Sequence, residues 1–123
     1  LDSEFYAGGK PRKLEQEDII NKIGKRDREA YQILIAHNPV YFKEYMRWGA
    51  DLVISGHVHG GLIRLPFIGG VISPQVRLFP RYDAGLFEEN GCYMVVSRGL
   101  GTHSFMPRIF NPPELVVINL KAD

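Results

Sequence analysis

Three histidines carry the chemistry that can be read from this chain. His57 and His59 stand in Ser55-Gly56-His57-Val58-His59-Gly60-Gly61, directly after the apolar run Leu52-Val53-Ile54, and His37 follows a second apolar run, Ile33-Leu34-Ile35-Ala36. Neutral imidazole is the commonest protein metal ligand. Neighbouring strands of a sheet finish side by side, so ligands at their ends can meet on one ion. A His-x-His pair within a strand puts both rings on one face, where the plain alternative is a pair of solvated or core histidines. Gly56, Gly60 and Gly61 bracket the pair and let the backbone turn sharply and approach a ligand. Together these features predict metal binding and metal-assisted hydrolysis.

Other chemistries fit poorly. The glycines near His59 precede an expected strand rather than a helix, and no Gly-Lys-Ser/Thr follows, which argues against a nucleotide phosphate loop. Ser55 does not lie within Gly-x-Ser-x-Gly, so a serine hydrolase is disfavoured. His103 follows Gly99-Leu100-Gly101, and a lone loop histidine is read as solvent-exposed. Cys92, the single cysteine, opens the apolar stretch Cys92-Tyr93-Met94-Val95-Val96 and reads as a small buried hydrophobe, with no disulfide framework available.

The elements that must position the histidines follow from periodicity. Leu14 to Lys25 has apolar residues at Leu14, Ile19, Ile20 and Ile23, with acids early and bases late, as suits an amphipathic helix and its dipole. Ile33–Ala36 is short and wholly apolar, which predicts a strand buried on both faces. Pro39 stops it, Val40–Trp48 reads as a helix ended by Gly49, and Leu52–Ile54 repeats the strand pattern. A right-handed crossover makes the two strands parallel and brings His37 and His57 to one sheet edge. Leu62–Leu65 is expected as a short strand and Pro66–Pro80 as a long surface loop. Asn90-Gly91 predicts a hairpin between Gly85–Phe87 and Cys92–Ser97, with Glu88 and Glu89 in its turn. Glu114–Leu120 is expected as a final strand.

Composition sets outer bounds. The 123 residues are 45% apolar, enough for one domain with a real core. Fifteen basic against fourteen acidic residues leave a net charge of +1, a weak electrostatic basis for nucleic-acid binding. No apolar run approaches the roughly 18 residues of a membrane helix, and Leu1-Asp2-Ser3-Glu4 lacks a signal-peptide pattern, so the chain itself is expected to be soluble.

Ile35-Ala36-His37-Asn38-Pro39, then Gly49-Ala50-Asp51-Leu52-Val53-Ile54-Ser55-Gly56-His57-Val58-His59-Gly60-Gly61, and later Ser97-Arg98-Gly99-Leu100-Gly101 resemble, in that order, the C-terminal half of a calcineurin-like metallophosphoesterase. The likeness runs from Gln32 to Leu120 and is strongest to the bacterial branch of small phosphohydrolases and phosphodiesterases. It implies an α/β fold, the C-terminal half of a four-layer α/β/β/α sandwich, with residues 1–123 forming a single partial domain. It also implies two divalent metal ions, Mn, Fe or Zn, with His37 and His57 on one and His59 on the other, activating a hydroxide that attacks the phosphorus of a phosphate ester. Asn38 is a candidate for substrate binding, beside its plainer role of turning the chain before Pro39. The resemblance also implies that the whole protein is held at a membrane, if at all, by an N-terminal segment expected to lie outside these 123 residues.

The family's remaining ligand motifs, Asp-x-His, Gly-Asp and Gly-Asn-His-Asp/Glu, occur nowhere in the sequence. Two divalent ions bring four positive charges and neutral imidazoles offset none, so a bridging carboxylate is required. Asp51 stands at the far end of its strand from His57, about 20 Å away at roughly 3.3 Å per residue. The catalytic residues are therefore expected upstream of Leu1, and this piece is expected to be nearly inactive alone. Its partners are expected to be the N-terminal half of the domain or a second copy, because buried strands need covering layers. The alternative is a non-catalytic module in which His37, His57 and His59 hold a single Zn and the Pro/Gly-rich segment serves as an interaction surface.

Overall fold

A computed structural model of the chain describes residues 13–61, 63–65, 67–72, 81–101 and 108–121. The β-α-β unit forms as its sequence dictates: β1 (Ile33–Ile35), a 3-10 turn over Pro39–Tyr41 continuing into α2 (Phe42–Trp48), and β2 (Leu52–Ser55). Proline at the head of the turn supplies a fixed φ where no backbone donor is needed. Gly49, at φ 110°, closes α2 in a conformation that side chains resist. The strands β5 (Gly85–Glu89) and β6 (Cys92–Val96) form the expected hairpin, with Asn90 and Gly91 at φ 52° and 76°. Both signs are those of the tight turn that an Asn-Gly pair favours. Glu88 and Glu89 lie in the strand rather than in the turn.

The four-stranded sheet runs in the order β1-β2-β6-β5, parallel except for the last pair. Its register lines up Leu34, Val53, Met94 and Phe87 in one row. That row faces α1 (Gln16–Ile23) and α2, where Ile19, Phe42 and Tyr45 are fully buried with it. The helices are tied together at their ends by Trp48, whose Nε1 donates to the carbonyl of Gly24 at 2.9 Å. The result is a mixed α/β fold with helices on one face of the sheet, consistent with part of a metallophosphoesterase-type α/β fold.

The expectation that β1 is buried on both faces is not met. The opposite row, Ile35, Ile54, Val95 and Leu86, forms an apolar face on which Ile35 is 78% and Leu86 67% exposed. Two further corrections concern the second half. Within the expected loop 66–80, Gly69–Ile72 is a strand, β4, paired antiparallel with β3 (Ile63–Leu65); residues 73–80 lie outside the described set. Glycine lowers strand propensity and hides such an element, yet here it is required: a Cβ at Gly70 would come within 2.9 Å of the carbonyl oxygen of Gly60. The expected strand Glu114–Leu120 does not form. A strand needs a neighbour for its backbone groups; among the described residues this segment joins no ladder, although the amide of Glu114 donates to the carbonyl of Gly99 at 3.1 Å. Among the described residues, no helix is long and apolar enough to cross a membrane.

Candidate metal centre

Parallel pairing continues one step beyond the strands and creates the site. The amide of Ala36 donates to Ile54 and that of Gly56 to His37, each at 3.0 Å, so the two chains leave the sheet edge together. His37 and His57 consequently meet edge to face, ring centroids 4.7 Å apart and planes at 72°. Two imidazoles at the open end of parallel strands form a donor pair suited to a borderline divalent ion.

Beyond Gly56 the chain is no longer a strand, which corrects the picture of His57 and His59 on one strand face. Both are left-handed, at φ 66° and 49°, and Gly60 and Gly61 continue in that region at 73° and 89°. Side chains at positive φ are uncommon, and they are sustained only where surrounding contacts hold them. Val58 between the histidines is buried in the core and anchors the turn, while the amide of Gly61 donates to its carbonyl at 2.8 Å. The ring of His59 is approached from the chain's last third: Nη2 of Arg108 lies 3.3 Å from its Nδ1. The two hydrogens of that Nη2 also serve the backbone carbonyls of Arg98 and Gly101, both closer to it than the ring.

Among the described residues, no group of three or more His, Cys, Asp or Glu side chains converges as a metal site. The donor set fits part of a metal centre: a pair of nitrogen ligands, without the negative charge a divalent pair demands. Asp51 is engaged far from the histidines, accepting from Arg26 Nη2 at 3.0 Å and from the Gln32 amide at 2.8 Å. Asn38, 2% exposed, accepts at Oδ1 from the Val40 amide at 3.1 Å, and the Tyr45 hydroxyl donates to its carbonyl at 3.0 Å. It therefore makes the turn that its sequence position suggests. Cys92 is buried, and desolvation, with a smaller contribution from Asp51, pushes its thiol up to about 11, which keeps it protonated and inert. His103 lies outside the described residues.

The residues that sequence reading missed come from the chain's last third. Arg98, within the Ser97-Arg98-Gly99-Leu100-Gly101 motif, grips Glu114 with two parallel hydrogen bonds, Nε to Oε2 at 3.1 Å and Nη2 to Oε1 at 2.9 Å. This bidentate contact raises the pKa of Arg98 further. Asn111 reaches the histidine turn, donating from Nδ2 to the carbonyls of His59 and Gly61. Beside the turn opens a cavity of about 520 Å³ whose lining includes Phe67, Ile68, Phe110, Asp83 and Arg98.

The chain is 38% identical over 106 residues to an uncharacterized metallophosphoesterase of Aquifex aeolicus, covering 85% of this chain and 38% of that protein. It is 30% identical over 105 residues to the metallophosphoesterase YkuE of Bacillus subtilis, covering 85% and 36%. To the phosphodiesterase YaeI of Escherichia coli it is 35% identical over 92 residues, covering 72% and 32%. The chain thus spans well under half the length of these relatives. No family model and no solved structure matches it.

Proposed function

Because the chain belongs to the calcineurin-like metallophosphoesterase family, we propose that it supplies the histidine side of a centre that hydrolyses phosphate esters with two divalent ions, Mn, Fe or Zn. His37 and His57 would hold one ion and His59 the other. The observation that carries this reading is the 4.7 Å edge-to-face approach of His37 and His57 at the common end of β1 and β2. His37, His57 and His59 would hold the ions, which would supply a more acidic bound water and charge stabilisation for the phosphate.

The chain's own contribution is geometric. The β1-β2 pairing fixes the separation of two nitrogen donors, and the left-handed turn carries the third, His59, which is proposed to serve a second position. Asn38, which follows His37 and turns the chain there, is proposed to take part in substrate binding. The missing negative charge has to come from carboxylates elsewhere in the whole protein, and the residues of this chain alone are proposed to be nearly inactive. The apolar row Ile35-Ile54-Val95-Leu86 is proposed to pack against the remaining layer of the same domain or, in its absence, against a second copy.

The deciding experiment measures bound metal and hydrolysis of an aryl phosphate monoester and diester with added Mn, for this chain and for a form extended to the length of its relatives. Two ions per chain and hydrolysis in the extended form alone are expected. One ion and no hydrolysis in either form would replace this reading with a single-metal binding module.

A further inference from the structure

Asn111 is 2% exposed, and its side-chain Nδ2 crosses to the histidine turn, 2.5 Å from the carbonyl oxygen of His59 and 2.7 Å from that of Gly61. Its Oδ1 is buried without a hydrogen-bond partner. An unpaired buried acceptor costs about 1–3 kcal/mol, so this orientation is held by what Nδ2 does. The requirement explains the residue type. Bridging two carbonyls from one nitrogen takes two hydrogens on a neutral group: an ionised aspartate donates none and a hydroxyl donates one. A buried ammonium would carry an uncompensated charge.

The clamp also explains Gly60, which lies beneath it. A Cβ there would stand 2.8 Å from Oδ1 of Asn111 and 2.6 Å from Cγ of Arg98. Arg108 on the same strip brings Nη2 to 3.3 Å from the ring of His59, and its guanidinium donates to the carbonyl of Arg98 at 2.8 Å and to that of Gly99 at 3.2 Å. Glu114 anchors the strip at its other end by gripping Arg98. Pro112 and Pro113, between the anchors, restrict the backbone.

We propose that Asn111 is a positioning residue for His59: by tying down the carbonyls on either side of Gly60, it holds His59 at φ 49° and so fixes where its imidazole points. Without the clamp, His59 relaxes to an ordinary negative φ and its ring swings away. This inference rests on His59 being a ligand of one of the two ions.

The test titrates Mn into the extended, metal-free protein by calorimetry, comparing Asn111→Asp, Gly60→Ala and His59→Asn, with unfolding midpoints recorded for each. Asn111→Asp and Gly60→Ala are expected to weaken one of the two ions by about 10–100-fold, as the loss of orienting partners does, and to leave the other at its original affinity. His59→Asn should abolish that same ion. Gly60→Ala decides the matter where Asn111→Asp does not fold. Unchanged binding of both ions, or equal weakening of both as general destabilisation would produce, overturns the positioning role. Retention of both ions by His59→Asn overturns the ligand assignment itself.

Discussion

The hydroxyl of Ser55 donates to the carbonyl of Ala36 at 2.5 Å, a buried link between β2 and the residue just before His37. It reinforces the parallel pairing where the two chains leave the sheet, next to the amide of Gly56 on the carbonyl of His37. Ser55→Ala removes the donor and leaves the Ala36 carbonyl to the Ser55 side without a hydroxyl. The expected loss is about 1–3 kcal/mol of stability, read as a lowered denaturant midpoint with unchanged slope. Metal affinity should fall as well, because the His37–His57 spacing depends on that junction.

His57 sits at φ 66°, so replacing it tests two things unless the substitute tolerates that conformation. Asparagine does so better than most residues. His57→Asn should therefore keep the unfolding midpoint near that of the parent while the extended protein loses an ion and the proposed phosphoesterase activity. If His57 is a ligand as proposed, the loss should exceed the roughly 10–100-fold effect of losing an orienting partner. Metal content after dialysis, measured alongside circular dichroism, separates the two effects.

Cys92 gives a pH dependence of known sign. Burial raises its thiol from an ordinary 9.0 to about 11 in the folded state. The unfolded chain therefore deprotonates first as pH rises, and the stability that the protonated thiol contributes, complete below pH 9, is lost progressively as pH approaches 11. Unfolding of the parent should show this alkaline decline in excess of Cys92→Ala across the same window. Iodoacetamide should leave Cys92 unmodified in the folded protein at pH 8 and modify it in denaturant.

How far the sequence could be read depended on whether each feature is local. Ile33–Ala36, Pro39, Gly49 and Leu52–Ile54 specify a β-α-β unit within a short stretch, and the right-handed crossover does the rest, so the meeting of His37 and His57 was legible. Asn90-Gly91 marks its hairpin equally locally. Gly69–Ile72 was hidden because its glycines serve a tertiary approach to Gly60 that strand propensity does not encode. The clamp was illegible for a related reason: Asn111 and His59 are 52 residues apart, and nothing near Asn111 signals a partner. The left-handed His57 and His59 depart from the His-x-His strand pattern because the chain leaves the strand at Gly56, before either of them. Glu114–Leu120 has the apolar content of a strand but lacks a neighbouring edge among the described residues.

Ile35 offers the sharpest test of whether the apolar sheet face is a covered surface in the whole protein. In this chain its side chain is 78% exposed, in the same row as Leu86. A lysine at an exposed position away from special contacts changes stability by only about ±0.5 kcal/mol, so Ile35→Lys should leave an isolated monomer of this chain almost unaffected. If two copies cover the face for each other, the same substitution should disperse them, visible as a monomer in sedimentation. In the extended protein, a further layer would bury the ammonium or force the layers apart, and a buried unpaired charge costs several kcal/mol. The expected pattern is a large drop in the denaturant midpoint of the extended protein and little change in monomeric short chain. Equal, small effects in both would show that this face meets water in the whole protein too, and would remove the packing arm of the proposal while leaving the His37–His57 pair in place.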